Sequence, residues 1–182
     1  MIPAGYMIKR VSARPDWLKV NNVQDIYSVS NCVSSDFMEY INYWRHNGYW
    51  LFNSLEIARQ FAHENHVNLD NTKHFYYEIY EREFSDDQMQ WRIFGPTKEF
   101  TTQVAIPQTK TLEGYDVVSF SLGNKAEYSP LSCNHLATEI QANCHCLLET
   151  FEQAYAALES GKFLDSEPGP FRVFAVYTIN GT

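Results

Sequence analysis

A chain of 182 residues is long enough to bury a core without staples, and 45% apolar with 20% charged residues is the balance of a water-exposed globular protein. The formal net charge of −8 argues against a nucleic-acid backbone or an anionic membrane as the main partner, because both call for basic faces. No run approaches the ~18 apolar residues of a membrane span, and Met1–Arg10 lacks the basic-then-apolar order of a secretory leader, so the expected setting is the cytoplasm.

In chain order, Tyr6–Val11 alternates and is rich in strand formers, so it predicts a first strand; Asp25–Ser30 predicts a second. Phe37, Tyr40, Ile41 and Trp44 form a helical stripe, opened by Asp36 and Glu39 at capping-box spacing and closed by Asn47-Gly48. Tyr49–Phe52 reads as a short strand running into a second helix, with Asn53 and Glu56 at its start and Leu55, Ala58 and Ala62 as its buried stripe. His74–Phe84 is a long strand with Phe75, Tyr77 and Ile79 on one face and Tyr76, Glu78 and Tyr80 on the other. The polar connection 85–100, carrying Gly95-Pro96, is the expected boundary between two halves.

The second half repeats the order. Thr101–Ile106 is read as a strand, Pro107–Gly114 as a connector, Asp116–Ser121 as a strand, Asn134–Ala142 as a helix and Cys144–Leu148 as a strand. Thr150 and Gln153 open a helix with Phe151, Ala154, Tyr155 and Leu158 buried, Gly161 stops it, and Phe171–Ile179 is the last strand. Leu51-Phe-Asn-Ser-Leu-Glu-Ile-Ala58 is echoed by Leu147-Leu-Glu-Thr-Phe-Glu-Gln-Ala154, and Asp25–Ser30 by Asp116–Ser121. The expected fold is therefore α+β: two tandem, internally duplicated β-β-α-β-α-β units, 1–96 and 97–182, related by a pseudo-two-fold.

The chain lacks G-x-S-x-G, P-loop, G-x-G-x-x-G and H-E-x-x-H motifs, so the common hydrolase, nucleotide and zincin fingerprints are all missing. His63-Glu-Asn-His66 has the wrong spacing for the last and reads as a polar helix end. Cys133, His135, Cys144 and Cys146 are soft ligands grouped in sequence, but they lack the C-x-x-C form and a buried thiol is the ordinary state of a free cysteine. We expect no metal or cofactor and four free thiols, as is usual in a reducing compartment.

An acidic and aromatic stretch stands out. Glu78, Glu81, Glu83, Asp86 and Asp87 face the single Arg82, with Tyr76 and Tyr80 on the strand face of Glu78. Acids steer a basic partner and tyrosines supply rigid contact area, so these seven residues are the expected partner-binding surface. Tyr40, Tyr43, Trp44, Tyr49 and Trp50 make a second aromatic patch.

Three resemblances bear on function. Met1–Tyr6, Trp44–Trp50, Leu131–Asn134, Glu167–Phe171 and Phe174–Tyr177 resemble segments of a group of bacterial proteins without an assigned activity. In size, charge and aromatic content the chain is similar to the small acidic α+β immunity proteins that neutralise toxins of competing bacteria, which implies non-catalytic masking of a basic toxin domain. Arg10, the Ser28–Ser30 strand, the Trp50–Ala58 junction and Glu78 or Glu81 resemble the order of parts in ADP-ribosyltransferases. That supplies the alternative: a small transferase or hydrolase with its site in the cleft between the repeats.

Overall fold

The computed structural model describes residues 1–36, 47–94, 103–123 and 125–179. Strands and helices are both present, in an α+β arrangement. The core of the fold is one antiparallel sheet of β1 (Ile2–Lys9), β4 (Lys73–Ser85), β7 (Phe171–Thr178) and β6 (Thr111–Ser119), in that order, with β5 (Gln90–Ile93) paired to the far end of β4. A two-residue ladder of β2 (Ser12–Ala13) and β3 (Asp25–Ile26) stands apart. Strands from both halves of the sequence thus share one sheet, joined where β4 pairs with β7.

Two helices lie on one face of this sheet. In α1 (Leu55–Glu64) the hydroxyl of Ser54 accepts from the Ile57 amide, and Leu55, Ala58, Phe61 and Ala62 are buried, with Phe61 against Phe52. In α3 (Phe151–Glu159) Thr150 and Gln153 make a reciprocal capping box, and Ala154, Ala157 and Leu158 are buried. Such caps satisfy amides that the first turn leaves unpaired, worth about 1 kcal/mol each. The opposite face carries Phe75, Tyr77 and Phe174, covered by the segment around Tyr27 and Val29 and by Phe120.

The same local construction positions both helices. Asn47 Oδ1 accepts from the amides of Tyr49 and Leu51, and its Nδ2 donates to Ala4 O. Asn143 Oδ1 accepts from His145 and Leu147, and its Nδ2 donates to Glu113 O. Each turn has one residue at positive φ, Trp50 at 62° and Cys146 at 61°, and each ends in a bridge to the sheet, Phe52 to Tyr6 and Leu148 to Tyr115. Each strand meets its turn at a bulged glycine, Gly5 or Gly114.

Several expectations need correction. Tyr49–Phe52 and Cys144–Leu148 are turns, because the asparagine side chain captures the amides that a strand would have used. β6 runs over Thr111–Ser119 and so begins inside the expected connector, whereas of Asp25–Ser30 only Asp25–Ile26 is a strand; Gly114, read as the end of that connector, sits in a bulge of β6. Asn134–Ala142 is not a helix. A short α2 (Pro130–Cys133) and a 3-10 turn, Leu136–Thr138, flank His135, whose φ of 60° breaks any continuous helix. The connection 85–100 contains β5, which polar residues concealed. The helix expected over Phe37, Tyr40, Ile41 and Trp44, the Gly95-Pro96 boundary and the start of the Thr101–Ile106 strand lie outside the described residues; Gln103–Ile106 forms no strand.

Cysteine pairing also differs from expectation. Cys32 and Cys133 form a disulfide with a Cα separation of 6.4 Å, within the usual range, while Cys144 and Cys146 are free. The two partners are far apart in sequence, and spacing alone gave no sign that they meet. No helix among the described residues is long and apolar enough to cross a membrane.

Candidate binding face

Alternation along β4 sends Tyr76 and Glu78 to the face that carries α1 and α3. There they meet Tyr177 from β7, because register pairs Tyr76 with Tyr177 and Glu78 with Ala175. Tyr177 Oη donates to Glu78 Oε2 at 3.0 Å, Tyr76 Oη lies 3.5 Å from Oε1, and Lys110 Nζ makes an ion pair with the same carboxylate. The Lys110 ammonium also stands over both rings, 4.9 Å from Tyr76 and 4.1 Å from Tyr177. Burial, followed by the charge of Glu78, pushes the Tyr76 phenol well above its ordinary range; burial and the bond to Glu78 do the same to Tyr177.

A register shift between Ile79 and Glu83 turns the rest of β4. Tyr80 packs edge-on against Trp91 and Phe151, so it braces the β4–β5 hairpin on α3 and is only partly exposed. Trp91 stacks on Tyr155 at 4.7 Å, completing that footing. Glu83 is only 5% exposed; its two oxygens take Arg92 Nε at 2.7 Å and Arg172 Nε at 3.0 Å. Arg172 is itself held between the Phe94 and Phe120 rings at 4.0 and 4.2 Å. Asp86 accepts from the Gly169 amide at 2.7 Å, whereas Glu81 and Asp87 are exposed.

The seven residues singled out in the sequence therefore separate into groups. Tyr76 is 0% exposed with the Lys110 ammonium over its ring, and Glu83 is internally paired, so neither is open at the surface while Lys110 stays in place. Glu78 is partly open inside the tyrosine cluster, Tyr80 and Asp86 tie down the hairpin, and Glu81 and Asp87 project from it. What sequence reasoning missed is the company of the acids on the hairpin: Met89 is 45% and Ile93 81% exposed. The signal was available, because Ile93 follows alternating polar residues in a segment read as a loop.

The soft-ligand cluster does not assemble. Cys133 is bonded to Cys32, His135 packs on Trp17, and Cys146 is buried with its thiol pushed up to about 12 by burial. Among the described residues no group of three His, Cys, Asp or Glu side chains could hold a metal ion. Arg10 donates to Asn68 O at the end of the β1–β4 ladder remote from Glu78, so those two do not form one site. Of the second aromatic patch, Tyr49 is buried and Trp50 lies in the Asn47 turn; Tyr40, Tyr43 and Trp44 lie outside the described residues.

A second polar centre lies where the two halves meet at the other end of β4. His145 Nδ1 is 2.5 Å from Asp25 Oδ1 and its Nε2 is 3.6 Å from Glu113, while Tyr27 stacks on the ring at 4.0 Å. A cleft of about 290 Å³ lined by Tyr27, Lys73, His74, Glu113 and Thr178 adjoins it. No family model, curated protein or solved structure matches this chain.

Proposed function

We propose that the protein is a non-catalytic binding protein, an immunity-type inhibitor that covers a basic toxin domain in the cytoplasm through its acidic, aromatic surface. The observation that carries this reading is the β4–β5 hairpin. It presents exposed Glu81 and Asp87 beside exposed Met89 and Ile93, on a base braced by Trp91, Tyr80 and Tyr155. Apolar anchors rimmed by charge on a rigid support are what a protein partner uses, and the overall charge of −8 selects a basic one.

Replacing Glu81→Lys with Asp87→Lys is expected to slow association with the basic partner by about tenfold to a hundredfold at low salt, less at high salt. The thermal midpoint should stay in place, since both side chains are exposed. Surface plasmon resonance against the partner captured from the native host reads this directly. Unchanged association removes the hairpin from the interface.

We further read the chain as internally duplicated, units 1–96 and 97–182, with a pseudo-two-fold passing between Tyr77 and Val176. Strand register supports this. Exchanging β4 with β7 about that point turns the pair Phe75–Thr178 into Ile79–Phe174, and Tyr76–Tyr177 into Glu78–Ala175. On this reading Phe75 corresponds to Phe174, not to Phe171. Gly5 corresponds to Gly114, Asn47 to Asn143 and Trp50 to Cys146.

The cytoplasmic setting goes with the immunity reading, and the Cys32–Cys133 bond is its natural check, since such bonds persist in oxidising compartments. Alkylation of protein taken directly from cells should find all four thiols reactive after unfolding if the setting is reducing; protection of Cys32 and Cys133 alone places the protein outside the cytoplasm.

One observation favours a second reading, a small hydrolase or transferase: the His145–Asp25 pair beside a cleft between the halves. A carboxylate on Nδ1 fixes the tautomer that leaves Nε2 available for proton transfer. On that reading, any turnover found in a substrate screen should fall at least about a hundredfold in His145→Gln; turnover independent of His145 excludes this cleft.

A further inference from the structure

We propose that Glu78, Tyr76 and Tyr177 form a recognition site for an alkylammonium group, held in the free protein by the side chain of Lys110 as a built-in occupant. The inference concerns a different surface from the β4–β5 hairpin and does not rest on the immunity reading.

Geometry makes the case. An ammonium is favoured where a carboxylate takes its N–H groups and aromatic faces take its remaining charge. Both are assembled at this point. Glu78 is oriented by the Tyr177 hydroxyl at 3.0 Å and the Tyr76 hydroxyl at 3.5 Å, and the two rings, 5.8 Å apart and inclined at 45°, open over it. Lys110 supplies the cation, over both rings and paired with the carboxylate. The site is therefore shown to fit an ammonium on an alkyl stem.

Three features distinguish a recognition site from a clasp that merely pins the chain. The cage rests on backbone fixed by the central strands, since Tyr76 and Tyr177 are register partners, so it does not need Lys110 to exist. Lys110 stands just before β6, and its side chain is 26% exposed, so it can swing out without moving the sheet. Beside the cage, sharing the Tyr6 ring that packs on Tyr76 at 5.1 Å, runs an open cleft of about 300 Å³ lined by Tyr6, Glu56, Ile106, Gln108 and Ile179. That cleft offers apolar wall and a second carboxylate to whatever follows the ammonium. A tethered occupant competes as though present at about millimolar concentration, so a displacing ligand needs those flanking contacts or a high concentration of its own.

The ammonium can come from a lysine of a protein or from a free amine, and the test separates the two. Titration of Lys110→Ala with n-butylammonium, followed by calorimetry and by the tyrosine resonances, is expected to show saturable binding, with the wild type weaker by about tenfold or more. Adding Glu78→Gln to Lys110→Ala should abolish it, and tetramethylammonium should bind less well because it has no N–H to donate to Glu78. A lysine-containing peptide binding more tightly than butylammonium, with its norleucine analogue inactive, assigns the site to a protein partner; a peptide no better than butylammonium assigns it to a free amine. Thermal unfolding confirms that each variant is folded, and Lys110→Gln repeats the measurement with a longer side chain in place. Absence of saturable amine binding to folded Lys110→Ala and Lys110→Gln, or equal binding with and without the Glu78 carboxylate, overturns the proposal and leaves Lys110 as a clasp.

Discussion

Gly5→Ala and Gly114→Ala are each expected to destabilise the protein by about 3 kcal/mol or more, and by similar amounts. Both glycines have φ near +145°, a conformation L side chains rarely adopt, so strain accompanies any substitution. The surroundings add to it. A Cβ on Gly5 would stand 2.6 Å from Leu51 Cβ, 2.8 Å from Phe52 O and 2.9 Å from Asn47 Nδ2. On Gly114 it would stand 2.8 Å from Leu147 Cβ, 2.7 Å from Leu148 O and 3.0 Å from Asn143 Nδ2. Most of these neighbours are backbone or the first atom of a buried side chain, so neither turn can yield without losing its asparagine bonds and its bridge to the sheet. Gly123 is the control: nothing among the described residues beyond its chain neighbours lies within 4 Å of its Cβ position, so its φ of 122° is what opposes substitution. Urea unfolding of the three alanine variants measures the differences. Loss at Gly5 and Gly114 no greater than at Gly123 would mean that the turns give way, and that the close approach of strand and turn does not hold the helices in place.

These same glycines show where sequence was informative and where it was not. The helices at Leu55–Glu64 and Phe151–Glu159 were legible because polar residues suited to capping adjoin an apolar stripe and a helix needs only local information, although Ser54, not Asn53, caps the first. β4 and β7 were legible because long runs of aromatic and β-branched residues have few other uses. Tyr49–Phe52 and Cys144–Leu148 were misread because apolar residues report burial and not extension, and a side chain amide can replace a ladder. At the candidate site, the shared face of Tyr76 and Glu78 followed from alternation. The contributions of Tyr177 and Lys110 did not, because they depend on which strand pairs with which, and that is set by packing across the halves. Glu83 looked like one of several surface acids until Arg172, almost ninety positions away in sequence, was found against it. Cys32 and Cys133 failed for the same reason.

Lys9→Met is expected to cost about 3–5 kcal/mol, because it breaks a buried charged network from one side. Lys9 is 1% exposed and donates to the carbonyls of Ser28, Val29 and Ser30 at 2.6, 3.1 and 2.6 Å, pinning that segment on the sheet. Asp116 completes the network, accepting from the Val29 amide at 2.7 Å and the Ser129 hydroxyl at 2.6 Å. Methionine fills similar space but leaves the Ser28 and Val29 carbonyls without the donor Lys9 gave them, the Ser30 carbonyl with the Ser28 hydroxyl alone, and a buried carboxylate without its counter-charge. Burial pulls the Lys9 ammonium down to about 8 and pushes the Asp116 carboxyl up to about 6. The signs follow. Between about pH 4 and 6 the native Asp116 holds a proton that the unfolded chain has released, so its contribution falls as pH rises through that window. Between about pH 8 and 10.5 the unfolded Lys9 holds a proton that the native one has lost, so its contribution rises with pH. The pair therefore contributes least between pH 6 and 8, and it is retained there for the position it gives residues 28–30, not for net stability. Asp116→Asn removes the acid window, and the loss of a negative charge near Lys9 lets the alkaline window begin at lower pH. Relative to wild type its stability should gain on the order of 2–3 kcal/mol as pH rises from 4 to 6. Denaturant unfolding at closely spaced pH values separates the variants: parallel curves for wild type and Asp116→Asn from pH 4 to 6 would show that the carboxyl does not titrate in that window, and a Lys9→Met loss within about 1 kcal/mol would show that residues 28–30 are held by something else.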